Sequence, residues 1–573
     1  MKVLLRSLIT AGLFGAAIPA FADGIPAKPR LVVLISIDQF RADYLTRFED
    51  LYLPPVSGKK VGGFRYLMEK GAYYPDAHHD HVPLSTGPGH SVLLTGAPPY
   101  KSGIIANDWW DRATNKLIYC VQDDTVQIVG SDSKIVKASP EHLKVTTLGD
   151  ELKMTTGRQA KVFGLSLKDR ASILMAGHLA DAAYWFDPIA GQWISSTYYF
   201  KDDKLPDWMV KLNSSRPTDV FYNKVWDFSE GDAAKKRLFT PTGEYAADVS
   251  GMGTMFPHKV SSKSGKPDAN YFKAFTTSPF GNTYVFNTAR ELIKQEALGQ
   301  DNITDILAIN LASNDYVGHA FGPDSAEMLD IAVKTDKELS DFFNDLDKSI
   351  PGGLGSVDIV LTADHGVAPI GPMAHKAGLP GGSWPKKAVL DAVNAALVER
   401  FGPGKYTADY SEPYLWLDHE VIKAKKVDLA EAQTIAAKAA MASGRTTDGI
   451  PALYAAFTPA QILSGSLPPT DISRHLALGF HPLLSGDVLI VAMPGVMPSD
   501  YPTGTTHSEP YAYDTHVPLL IAGTGIRPGT YTERVSTLDI APTLAFLLHV
   551  NQPSGCEGRI LTRAMLNDGP RGK

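Results

Sequence analysis

Apolar residues in this chain fall into short continuous runs, and most of these runs stop at a charged side chain. Leu31–Ile37 is almost wholly apolar and ends at Asp38. Lys161–Leu167 ends at Lys168-Asp169-Arg170, Ile303–Leu311 leads into Asn314-Asp315, and Val357–Thr362 ends at Ala363-Asp364-His365. Asp487–Val491 and Pro518–Ala522 are two further runs. Runs of this length without alternation read as strands buried on both faces, the pattern of a parallel sheet covered by helices. Helical patterns over 61–70, 324–346 and 537–548 lie between them. The pattern therefore predicts an α/β fold with a largely parallel central sheet. Ligands of such sheets collect at the carboxyl ends of the strands. Asp38, Lys168, Arg170, Asp315, Asp364 and His365 are thus expected to converge on one crevice.

Two long stretches interrupt this rhythm. Residues 171–300 are rich in Trp, Tyr, Pro and Gly and read as irregular. Residues 372–485 carry two helical patterns, over 387–400 and 429–441, and a strand-like Tyr414–Leu417. Both read as insertions that form a cap beside the active-site edge. The expected division is a leader over 1–22, core segments over 23–170, 301–371 and 486–573, and insertions over 171–300 and 372–485.

Within the stretch His81–Ser91, Ser85–Gly89 places two hydroxyls, two glycines and a proline just ahead of the apolar Val92-Leu93-Leu94. A proline is tolerated in the first turn of a helix, where its missing N–H has no intrahelical partner to lose. Thr86 is then expected at or just before a helix N-terminus, where free N–H groups and the helix dipole favour an anion. A hydroxyl so placed can attack phosphorus. A capped turn without chemistry is the alternative reading of the motif taken alone.

Composition narrows the setting. The 573 residues are 44% hydrophobic and 20% charged, an ordinary globular balance, and the net charge of −7 offers no surface for nucleic acid or anionic membrane. Lys2 and Arg6 precede an apolar stretch, Leu8–Ala20, that is too short to span a bilayer. Ala20-Phe21-Ala22 then offers a small-x-small cleavage site, so the mature chain is expected in a bacterial periplasm. Cys120 and Cys556 are the only cysteines. Export leaves room for one disulfide between them, and two thiols cannot build a thiolate cage, so any metal site must use His and carboxylates.

Several motifs supply such ligands. Asp315 and His319 are four apart and share one face of a helix. Asp364-His365 offers adjacent ligands where a strand turns. His507 and His516 are both available late in the chain, and ligand chemistry does not choose between them, although His516 runs straight into an apolar strand and reads as structural. His78-His79-Asp80-His81 is the densest cluster, but a solvated loop is the commoner outcome for so local a group. Lys168 and Arg170 are two apart, on one side of an extended segment, and suit phosphate oxygens. No Gly-x4-Gly-Lys-Ser/Thr motif is present, which excludes a P-loop enzyme.

Taken together, Ile37-Asp38, Thr86-Gly87-Pro88-Gly89-His90, Ala106-Asn107-Asp108, Lys168-Asp169-Arg170, Asp315-x-x-x-His319, Ala363-Asp364-His365-Gly366 and Gly504-Thr505-Thr506-His507 resemble the alkaline phosphatase superfamily. The pattern is most similar to its phosphate-irrepressible phosphatases, and nucleotide pyrophosphatase/phosphodiesterases share the core. The resemblance spans the mature chain in order. It implies an α/β/α sandwich with inserted cap segments and two Zn²⁺ per chain. One zinc is expected on Asp315, His319 and His507, and the other on Asp38, Asp364 and His365. Thr86 is expected as the nucleophile that meets the metals, with Asn107, Lys168 and Arg170 holding the phosphoryl oxygens. The implied activity is hydrolysis of small phosphate monoesters by a monomer through a phosphothreonine, with no membrane or nucleic-acid partner. A phosphodiesterase of the same superfamily is the nearest rival, and a non-catalytic zinc or phosphate-ester binding protein is a more distant one.

Overall fold

The computed structural model describes residues 28–236, 238, 243–498 and 503–566. The leader expected over residues 1–22 lies outside them. In chain order, the strands of the central sheet are β1 (Leu31–Ile37), β2 (Ala72–His78), β3 (Ile128–Val129), β4 (Val162–Ser166), β5 (Ala182–Asp187), β6 (Gln192–Ser196), β7 (Asp305–Leu311), β8 (Val357–Thr362), β9 (His516–Ala522), β10 (Gly529–Thr530) and β11 (Val535–Ser536). Their spatial order is β10-β2-β9-β8-β1-β7-β4-β5-β6-β3, with β11 also paired to β2. Strands β8, β1, β7, β4 and β5 are mutually parallel. β9 enters antiparallel beside β8, and β6 antiparallel beside β5.

Every residue of β1 is buried because both faces of the sheet are covered. Leu31, Val33, Ile35 and Ile37 face one core, and Val32 and Leu34 face another, as the two-residue period of a strand requires. The helices α1 (Thr86–Thr95), α2 (Asp169–Ala176), α3 (Pro279–Gln295), α4 (Ser313–Phe321), α5 (Ala326–Ser349) and α6 (Ile540–Leu548) supply most of the cover. Val92, Leu93 and Leu94 of α1 and Ile540 and Leu544 of α6 lie in the core of Val32 and Leu34. Tyr284 and Val285 of α3 and Leu339 and Phe342 of α5 lie in the core of Leu31 and Val33. The result is the α/β/α sandwich.

The two interrupting stretches are more ordered than their composition implies. Residues 171–300 were expected to be irregular, yet they contribute most of α2, β5, β6 and α3 to the central sandwich. The aromatic residues Tyr184, Trp185 and Phe186 of β5 are what allow this: all three are buried, and Tyr184 and Trp185 serve different cores. The second stretch, together with Val488–Ala492 beyond it, builds a separate four-stranded antiparallel sheet, in the order Thr407–Ser411, Tyr414–Leu417, Val488–Ala492 and Leu453–Phe457. The helices Lys386–Phe401 and Leu429–Ser443 pack on it. The strand expected over Asp487–Val491 therefore forms, but in this smaller sheet and not in the central one. Its apolar run is like that of a core strand, and only the pairing of Leu489 with Tyr414 and Phe457 distinguishes the two outcomes.

Both cysteines are free thiols, Cys120 buried and Cys556 half-buried. Among the described residues, no helix is long and apolar enough to cross a membrane.

Candidate active site

Four adjacent parallel strands, β8, β1, β7 and β4, end on the same edge, and the charged residues that follow them meet there. Asp38 follows β1 directly, Lys168 lies two residues past β4, and Asp364-His365 lies just past β8. β7 leads through Ala312 into α4, whose first two turns carry Asp315 and His319. The four-residue spacing stacks that pair on one face, with Nε2 of His319 3.2 Å from Oδ1 of Asp315.

Thr86 is the first residue of α1, capped by the extended Ser85, and is buried. The first turn of α1 sits against the backbone of Asp364. A Cβ on Gly89 would lie 2.3 Å from the Asp364 carbonyl oxygen, so only glycine permits this approach. Lys168 Nζ donates to Asp315 Oδ2 at 2.7 Å, to Asp38 Oδ1 at 3.0 Å and to Thr86 Oγ1 at 3.2 Å. Arg170 also donates to Thr86 Oγ1, at 3.3 Å. Asn107 accepts the Gly87 N–H at 2.7 Å, which sets its amide beside the same turn. All of the residues expected to act are therefore gathered around Thr86.

The residues expected as metal ligands close in the same place. Asp315, His319 and His507 form one group of donor atoms within 4.8 Å of each other, and Asp38, Asp315 and His365 form a second. His365 Nε2 is also 3.2 Å from Asp364 Oδ2 and 3.7 Å from Asp38 Oδ1. His507 comes from the loop that follows the smaller sheet, and its Nε2 lies 3.7 Å from Asp315 Oδ1. His516 opens β9 and spends Nε2 on the Pro75 carbonyl. The choice between these two histidines is thus settled in space, with only His507 near Asp315.

The three imidazoles share one wiring. His319 Nδ1 meets the Thr505 carbonyl at 2.7 Å, His365 Nδ1 that of Gly366 at 2.9 Å, and His507 Nδ1 that of Leu84 at 2.6 Å. A carbonyl only accepts, so Nδ1 carries the proton and Nε2 turns a lone pair toward the carboxylates. That is the arrangement of metal-ligating histidines. His365 Nε2 is buried with no hydrogen-bond partner, although it faces Asp364 Oδ2. Three buried carboxylates also outnumber the one lysine they share. Burial and the Asp364 carboxylate push the Asp38 carboxyl up to about 7 against the pull of Lys168. Lys168 itself is held cationic, because Asp315 and Asp38 outweigh the cost of its burial. The donor set, the tautomers and the excess of negative charge fit divalent cations.

Four further residues complete the site, and sequence reasoning assigned none of them. Gln39 bridges two of the carboxylates, its backbone N–H donating to Asp364 and its side-chain amide to Asp315. His90 joins Thr86 and Asp364 through Nδ1 and accepts from Asn310 on Nε2, so both nitrogens are used within the protein. Asn310, on β7, also donates to Asp38. Tyr119 contacts Arg170. Gln39 and His90 lie inside motifs already singled out, next to Asp38 and four residues after Thr86. Nothing in the sequence marks Asn310 or Tyr119.

The local cluster His78-His79-Asp80-His81 is not the solvated loop it was expected to be. His79, Asp80 and His81 are all buried, because the segment leaves β2 and runs beneath the end of β8. His79 has both nitrogens engaged, with the Ala363 carbonyl and the Thr537 hydroxyl. Asp76, His78 and His516 do bring donor atoms together near the surface. There His78 is already satisfied by Asp76 and by the Thr515 hydroxyl.

The chain belongs to the type I phosphodiesterase/nucleotide pyrophosphatase family, which it matches over residues 32–508. It is 35% identical over 572 residues to the alkaline phosphatase PafA of Elizabethkingia meningoseptica, covering 98% of this chain and 99% of that protein. It is also 35% identical over 539 residues to the alkaline phosphatase PhoV of Synechococcus elongatus, covering 94% and 93% respectively. The crystal structure of wild-type PafA has a TM-score of 0.85 to this chain at 33% identity, covering 94% of this chain and 99% of that one.

Proposed function

We propose that this chain is an exported, two-zinc alkaline phosphatase that hydrolyses small phosphate monoesters through a phosphothreonine at Thr86. The observation that carries the reading is the convergence of Lys168 and Arg170 on the Thr86 hydroxyl, beside three overlapping groups of potential ligand residues. Asp315, His319 and His507 would hold one zinc, and Asp38, Asp364 and His365 the other. Two such ions supply Lewis acidity, which lowers the pKa of a hydroxyl and stabilises charge on a leaving oxygen. With three carboxylates and three neutral imidazoles, two divalent ions leave a local charge of about +1.

The chain's own residues then have definite roles. Thr86 Oγ1 forms a bond to phosphorus as the ester P–O bond breaks and the alcohol leaves. Water attacks the phosphothreonine in a second displacement, which breaks the Oγ1–P bond and releases inorganic phosphate. Lys168, Arg170 and the Asn107 amide hold the non-bridging oxygens in both steps. A monoester dianion exposes three such oxygens and a diester only two, so two cations at this position favour the monoester over the diesterase reading. The names of the relatives PafA and PhoV support the same choice.

Turnover of p-nitrophenyl phosphate, measured with and without chelator, is the first test. Quenched reactions should then show phosphate on the peptide that carries Thr86, and Thr86→Ala should bind phosphate but turn over very slowly. Phosphate on Ser85 or Ser91 would name the wrong hydroxyl. Inversion at phosphorus without a phosphoenzyme would replace the covalent route by direct attack of water.

A further inference from the structure

Arg170 reaches Thr86 with only one arm of its guanidinium. NH2 donates to Thr86 Oγ1, while NH1 donates to the Tyr119 hydroxyl at 2.9 Å. That hydroxyl lies 2.5 Å from Asp169 Oδ1, which also accepts the Arg170 backbone N–H at 2.7 Å. The polarity of this chain is forced. A guanidinium only donates and a carboxylate only accepts, so the group between them must accept from one and donate to the other. A neutral hydroxyl does both. Burial and the neighbouring Asp169 raise the phenol pKa against the opposing pull of Arg170, and the phenol stays protonated.

Tyr119 is delivered by a hairpin that also delivers Asn107. Asp108–Asp111 pairs with Lys116–Tyr119, with Asp108 opposite Tyr119. Just beyond this base, the Cys120 N–H donates to the Asn107 carbonyl at 2.8 Å. Asn107 and Tyr119 are thus neighbours at the root of one hairpin, one gripping the first turn of α1 and the other gripping Arg170. Arg170 Nε is buried without a partner, so Tyr119 is the side chain that holds the guanidinium arm not spent on Thr86. A long side chain without it regains rotamer freedom.

We infer that Tyr119 is a positioning residue for monoester selectivity: its hydroxyl, held by Asp169, aims Arg170 at the phosphoryl oxygens, and the hairpin root couples that aim to Asn107. The inference rests on the phosphatase reading above.

The test measures kcat/KM for an aryl phosphate and for its methyl diester, together with inhibition by inorganic phosphate. The variants are Tyr119→Phe, Arg170→Ala, their double mutant and Asp169→Asn. Tyr119→Phe should lower monoester kcat/KM roughly 10-fold and weaken phosphate inhibition in parallel, the size of one charge-assisted hydrogen bond. Its effect on the diester should stay within about 2-fold. In the Arg170→Ala background the Tyr119 substitution should cost nothing further, because the side chain it aims is gone. Asp169→Asn should lose less than Tyr119→Phe, since an amide oxygen still accepts the phenol proton. Equal losses on both substrates, or the same loss with and without Arg170, would overturn the role of Tyr119 in an enzyme that still prefers the monoester. A wild-type protein that turns over only the diester would overturn the phosphatase reading and this inference with it.

Discussion

Two groups of three histidines lie close together in this molecule and face different partners. His319, His365 and His507 come from three separate parts of the chain, and each gives Nδ1 to a backbone carbonyl while Nε2 faces a carboxylate. His78, His79 and His81 come from one short segment. His79 bonds a carbonyl with one nitrogen and a hydroxyl with the other, His78 is held between Asp76 and Thr515, and His81 packs edge-on against His79 with ring centroids 5.3 Å apart. Among the described residues, no ligand cluster includes His79 or His81. The contrast shows that density of histidine along a sequence is a poor guide to a metal centre. What matters is which nitrogen the fold leaves free and what it faces.

Removing ligands should separate the two groups most sharply. His319→Ala and Asp364→Ala are expected to lose metal and to lower kcat/KM by at least about 10²-fold, as loss of the group that stabilises developing charge does elsewhere. Metal analysis beside kinetics checks this, and full activity in a variant with no more than one zinc equivalent would break the two-zinc reading. His78→Ala and His79→Ala should keep both the metal and the activity.

The cations should separate from the metal ligands by substrate. A charge-assisted contact in a desolvated site is worth ~1.5–3 kcal/mol, so Lys168→Ala and Arg170→Ala should each lower monoester kcat/KM by roughly 10- to 150-fold. Their effect on the methyl diester should be much smaller. Parallel losses on the two substrates would assign these residues to the general charge of the site and return ground to the diesterase reading.

The local histidines should instead report on stability. His79→Ala removes a buried ring and two hydrogen bonds and is expected to cost about 2–3 kcal/mol in urea unfolding. The smallest effect is one of pH. Burial lowers the His79 pKa to about 4, opposed mainly by its bond to Ala363. The unfolded chain therefore binds the proton more readily, near an ordinary value of about 6.5. Stability is fully present above that value and falls as pH drops toward 4, by about 1 kcal/mol between pH 7.5 and 5.5. His79→Gln should flatten this slope, and an unchanged slope would place the acid sensitivity elsewhere.

The sequence alone determined the framework of the site. Leu31–Ile37 and Val357–Thr362 form strands with the bounds that their apolar runs predict, and Asp38 and Asp364 come just after them at the strand ends. The spacing of Asp315 and His319 brought one candidate ligand pair together, since a helix stacks residues four apart whatever surrounds it. These are local consequences of period and burial. Tertiary structure decided the rest. Val488–Ala492 is as apolar as a core strand, and only long-range pairing assigned it to the smaller sheet. The aromatic β5 joined the central sheet because partners distant in sequence cover both of its faces. The resemblance singled out His507, but only the packing of distant segments brought it to Asp315 and left His516 on the Pro75 carbonyl. Gln39, Asn310 and Tyr119 reach the site through hydrogen bonds to groups tens or hundreds of residues away. A sequence period carries which face a residue takes, but a hydrogen bond depends on the partner that arrives there, and the partner is chosen only when the chain has folded.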